Sequence, residues 1–128
     1  MSYVALATEN FDDVAFFYGK TLGFALLEQW DRPRGRGSRF DLGGGLKLEI
    51  LDNRREVKPL LLTPPGERLH LVIEVLDINA ARAGISLPTP APQRVSWGAL
   101  LFQLKDPDGI AVTYLQWVPT EPALLFGS

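Results

Sequence analysis

Apolar positions along this chain switch between two spacings, and the switches come in the same order twice. From Tyr3 to Ala7 the pattern has period two, with Tyr3, Ala5 and Ala7 on one face and Val4, Leu6 and Thr8 on the other, as in a strand. From Phe11 the spacing lengthens to i, i+3, i+4. Phe11, Val14, Ala15, Tyr18 and Leu22 then form the buried stripe of a helix, with Asn10 as its N-cap, Asp13 completing a short capping box and Gly23 as its stop. Alternation returns in Phe24 to Trp30, Ser38 to Leu42 and Leu46 to Leu51, the last two joined tightly through Gly43-Gly44-Gly45.

The plan restarts with a strand from Leu69 to Val75, and Asp77 caps a shorter helix running through Ala80, Ala81 and Ala83 to Gly84. Leu87 to Pro92 is rich in proline and predicts an irregular or edge segment. Strands follow at Ala99 to Lys105 and Ile110 to Gln116, linked by the turn Asp106-Pro107-Asp108-Gly109. Val4 to Asp12 lies over Leu71 to Asn79 at an offset of 67 residues, and the single histidine, His70, stands where the first copy has Tyr3. Such self-similarity predicts two like modules, each strand, helix, then three strands.

Module one spans about 1–57 and module two about 68–118. Between them Asp52 to Arg68 carries Pro59, Pro64 and Pro65, with the linker proper at about 58–67. Modules of roughly 60 residues are marginal alone, so one domain with a shared core is expected over 1–128. In the tail, 119–128, the apolar run Ala123-Leu124-Leu125-Phe126 is expected to cover a partner or a cleft.

Composition narrows the functions. A net charge of -2 without a basic block argues against nucleic acid, whose phosphates need a cationic face. The absence of cysteine excludes disulfides, zinc-thiolate sites and a thiol nucleophile. No leader and no bilayer-length apolar run is legible, so the expectation is a cytoplasmic protein without a membrane partner. Neither a G-x-S-x-G serine nor a phosphate loop is present, since Gly43-Gly44-Gly45 lacks the lysine and the following helix.

The two copies, the segment Phe16-Phe17-Tyr18-Gly19-Lys20-Thr21-Leu22-Gly23-Phe24 and the closing Asp106-Pro107-Asp108-Gly109 before a strand resemble the vicinal oxygen chelate superfamily, over roughly Tyr3 to Trp117. That group takes in glyoxalase I, bleomycin resistance proteins and extradiol dioxygenases. The resemblance implies an α+β fold: two βαβββ modules with curled mixed sheets forming a shared cavity, helices on the outside. Its metal-dependent members hold a divalent ion at positions that fall here on Tyr3, Glu49, His70 and Thr113. Alternation independently sets Glu49 with Lys47 and Leu51, and Thr113 with Ala111 and Leu115, away from the helix side, while His70 and Glu74 face the cavity.

Tyrosine and threonine are poor substitutes for imidazole and carboxylate, because a phenol ionises near pH 10 and a hydroxyl carries no charge. His70 and Glu49 remain as weak metal candidates, and each also reads simply as a hydrogen-bonding strand residue. The segment Asp31 to Gly37, with its three arginines, reads as a solvated hairpin loop. Arg39, sharing a face with Asp41, would stand at the cavity rim to meet an anionic ligand. Trp30 and Trp97 offer rings for a flat ligand, and Gln103 would project into the cavity beside Leu101.

The leading expectation is therefore a small-molecule binder without a metal cofactor, similar in plan to bleomycin resistance proteins, holding an aromatic or amphipathic ligand. By the same resemblance it forms a homodimer. The alternative is a metal-dependent lyase, isomerase or dioxygenase of the glyoxalase type using His70 and Glu49, with Tyr3 or Glu74 completing the shell. A ligand-free interaction module is a third class, supported only by the tail.

Overall fold

The computed structural model describes residues 1–119. The first module runs β1 (Val4–Thr8), α1 (Phe11–Phe16), a π-helical turn (Phe17–Thr21), β2 (Ala25–Arg32), β3 (Gly35–Gly43) and β4 (Leu46–Asp52). After a short 3-10 turn at Asn53–Arg55, the second module runs β5 (His70–Glu74), α2 (Ile78–Ala83), β6 (Gln93–Val95), β7 (Ala99–Lys105) and β8 (Ala111–Trp117). The sheets have the strand orders β1-β4-β3-β2 and β5-β8-β7-β6, one topology used twice. In each, the first and last strands are parallel neighbours and the other pairings are antiparallel. The α+β architecture of two mixed four-stranded sheets is the one expected.

The modules join through their helix sides. Phe40, Leu42, Leu48 and Ile50 of the first sheet, Leu71, Ile73, Phe102, Val112 and Tyr114 of the second, and Phe11, Val14, Phe17 and Tyr18 of the helical segment form one buried cluster. Each such side chain stabilises the fold by about 1.5–3 kcal/mol relative to exposure. The Tyr18 hydroxyl donates to Asp106 Oδ2 at 2.7 Å, and Asp106 Oδ1 accepts from the backbone N–H groups of Asp108 and Ile110 at 2.9 Å each. Phe24 stacks on Tyr114 with centroids 6.5 Å apart, and the Ser86 N–H donates to the Thr21 carbonyl at 2.9 Å.

Burial, and then the Asp106 charge beside it, push the Tyr18 hydroxyl far above the ordinary phenol range. Burial also raises the Asp106 carboxyl, against the opposing pull of its hydrogen bonds. The Tyr114 hydroxyl is pushed up to about 12 by burial alone.

Two expectations are corrected. Asn10 occupies the N-cap position but makes no cap with its side chain, whose Nδ2 donates instead to Asp108 Oδ1 of the second module at 3.2 Å. Asp77, by contrast, caps α2 as expected, accepting from Asn79 N and Ala80 N at 3.0 and 3.1 Å. The expected loop Asp31 to Gly37 is mostly strand, with β2 running to Arg32 and β3 starting at Gly35. Two of its charges are paired: Arg36 donates to Asp12 at 2.6 Å and covers the Phe11 ring at 4.4 Å, and Arg55 meets Asp31 at 2.6 Å. Leu87 to Pro92 is irregular, as expected. The edge strand is the three-residue β6 just beyond it, where backbone N–H donors resume. The tail residues 120–128, including the run at Ala123, lie outside the described residues.

Candidate functional site

Packing the helix sides together leaves the opposite face of each sheet open. On the first sheet the strand register lines up Ala5, Glu49, Arg39 and Glu28 as a row across all four strands. Arg39 is its centre. Its Nη2 and Nε donate to Glu49 Oε2 at 2.6 and 3.2 Å, and its Nη1 donates to Glu28 Oε2 at 2.7 Å. The guanidinium also lies 4.4 Å from the Tyr3 ring centroid and 5.7 Å from that of Trp30. The hydrogen bond to Glu49 is the main reason its pKa rises further above the ordinary arginine value. Trp30 pairs with Gly37 on β3 and lies flat over it, where a Cβ would fall 2.3 Å from the indole.

On the second sheet the corresponding row is Val72, Thr113 and Gln103, with Gln103 Nε2 donating to Thr113 Oγ1 at 3.0 Å. His70 is exposed, and its Nε2 must donate to the Glu67 carbonyl, 3.1 Å away, because a carbonyl only accepts. Trp97, in the β6–β7 turn, meets Trp117 edge-on with centroids 5.5 Å apart. The Trp117 indole N–H donates to Glu74 Oε1 at 3.0 Å.

The sequence candidates thus fall into groups. Tyr3, Trp30, Arg39 and Glu49 come together, Gln103 joins Thr113, Trp97 stands at the far end of the second sheet, and His70 serves its own strand. These hydrogen bonds and ring contacts stay within one module. Glu28 and Trp117 belong to the same faces and were not singled out. Glu28 lies two residues before Trp30, a legible alternation signal, whereas Trp117 is one residue beyond the expected end of its strand.

The donor set does not suit a divalent ion. Glu49 spends its charge on a guanidinium, His70 Nε2 on a carbonyl and Thr113 on an amide. Among the described residues no three His, Asp or Glu side chains gather as a metal site. Nor does Arg39 stand free for an anionic ligand, since two carboxylates already answer it.

A family model described as the Glyoxalase/Bleomycin resistance protein/Dioxygenase superfamily matches residues 1–114. The chain belongs to that superfamily. Among solved structures, an antibiotic binding protein from a Streptomyces species is 24% identical, with a TM-score of 0.65 over 90% of this chain and 93% of its own. A glyoxalase/bleomycin resistance protein/dioxygenase from Nocardioides is 21% identical, with a TM-score of 0.66 over 94% and 85%. A lactoylglutathione lyase from Agrobacterium tumefaciens is 17% identical, with a TM-score of 0.61 over 91% and 92%. At these identities the likeness is one of fold. No curated protein matches this glyoxalase-superfamily chain. Among its described residues no helix is long and apolar enough to cross a membrane.

Proposed function

We propose that this member of the superfamily is a cytoplasmic protein that binds a small aromatic or amphipathic molecule on its open sheet faces without a metal ion. The Arg39–Glu49 contact of 2.6 Å carries the reading. It occupies the carboxylate that a metal would need, and it turns that position into part of a wall flanked by Tyr3 and Trp30. Aromatic surfaces with a few fixed polar groups suit a flat organic ligand. The similar Streptomyces structure is of an antibiotic binding protein, and the proposal extends that kind of task to this chain.

A second copy of the chain completes the cleft in this reading. Trp97 and Trp117 are each 55% exposed, and Tyr3 and Val72 are exposed with them on the open faces, surface that a facing module would cover.

The test is elemental analysis of protein purified without chelator, followed by calorimetry with manganese, iron, nickel and zinc. The expected result is no ion bound more tightly than about millimolar, together with thermal-shift hits among aromatic compounds that Trp30→Ala removes. Near-stoichiometric metal, lost in His70→Ala and Glu49→Ala, would replace this proposal with the metal-dependent lyase, isomerase or dioxygenase reading.

A further inference from the structure

A groove of about 420 Å³ runs between α1 and the edge strand β2, on the helix side of the first module and away from the open face. Its walls are Phe16, Phe24, Leu26 and Phe40. Phe16 is 62% exposed and Leu26 48%, so two large apolar side chains stand in water where neither the core nor the open-face site uses them. The groove keeps its depth at Gly19, where an added Cβ would fall 3.0 Å from the Phe40 ring.

The polar groups at this groove are few and unspent. Gln29 and Ser38 are cross-strand partners in the β2–β3 register, and among the described residues neither side chain makes a hydrogen bond within the protein. Two charges border the groove. Asp12 is held by Arg36 at 2.6 Å, whereas Lys20 forms no ion pair among the described residues. The charge left for a ligand is therefore one ammonium with its three donors. The volume lies within the range of small-molecule sites, and apolar walls with a few convergent polar groups are their usual make-up.

We propose that this groove is a second ligand site, for a small amphipathic anion. An apolar body lies between Phe16 and Leu26, its carboxylate or sulfonate meets Lys20, and Gln29 and Ser38 supply hydrogen bonds at the floor. The site is independent of the open faces.

Titration of the full chain with naphthoate, and separately with neutral naphthylmethanol, followed by backbone-amide NMR, tests it. Naphthoate is expected to shift the amides of Ala15 to Lys20, Leu26 and Gln29 saturably. The alcohol should bind about three- to fivefold more weakly, the worth of one exposed ion pair. Lys20→Gln is expected to erase that difference, and Leu26→Trp, if its spectrum keeps the native dispersion, to abolish binding by filling the groove. Shifts confined to the open faces, or none, would overturn the proposal. So would binding that survives Leu26→Trp, or movement of these amides with protein concentration alone, which would mean that a second copy covers the groove.

Discussion

A guanidinium that touches two carboxylates and two rings has little freedom left, and Arg39 is in that position. Glu49 is the buried member of the group, so removing Arg39 leaves a largely buried carboxylate without its nearest cation. Arg39→Met and Glu49→Gln are each expected to lower the thermal midpoint, and the double variant to lose less than the sum of the two. Strict additivity across that double-mutant cycle would show the pair to be uncoupled. Alternation in the sequence assigned Arg39 and Glu49 to their faces. It did not make them neighbours, because their meeting depends on the β3–β4 register, and a one-residue slip would reverse a face. That register follows from a hairpin with positive φ at Gly43, Gly44 and Gly45 and an irregularity between Asp41 and Gly43, neither of which hydrophobic spacing encodes.

At the scale of elements, the helical segment of the first module meets the second through shared apolar packing and a buried hydroxyl, that of Tyr18. Tyr18→Phe removes a hydrogen bond to a carboxylate and is expected to cost about 1.5–3 kcal/mol, measurable by urea unfolding. Burial of the Asp106 carboxyl, which outweighs the lowering pull of that hydrogen bond, gives a pH signature. Folded Asp106 holds its proton more tightly than the unfolded chain does, so between the ordinary carboxylate pKa and its raised value the native state carries the extra proton. By linkage, its contribution to stability falls as pH rises through that interval. Unfolding curves across the acid range should show this decline in the wild type, and a smaller one in Asp106→Asn. The helix stripe of Phe11, Val14, Tyr18 and Leu22 was legible from period alone. The π-helical turn that also brings Phe17 into the core was not, because one wider turn leaves the apolar spacing nearly unchanged. Asn10 had the residue type of a cap and was drawn elsewhere by Asp108, a partner 98 residues away.

At the scale of the molecule, the duplication was the most legible feature, and the identical strand orders of the two sheets repeat it. How the modules meet was not legible, since alternation shows that a strand has two faces and leaves open which one covers a neighbour. With the helix sides spent on each other, the open faces are the surface that the proposed second copy would cover. The chain is accordingly expected to sediment at twice 14.2 kDa, and Trp117→Glu to shift it toward the single-chain mass. A wild-type mass of one chain would remove the dimer from the functional proposal. The interior shared by the modules has a practical consequence at the linker. Leu60 is pinned through its backbone N–H and carbonyl by the Asn53 side chain, both at 2.9 Å, while Leu61 next to it is 95% exposed. A single protease cut after Leu61 should therefore yield two fragments that stay together through gel filtration and separate only in denaturant. Two halves expressed from separate genes should find each other by the same surface, which would make this fold a candidate for a split reporter.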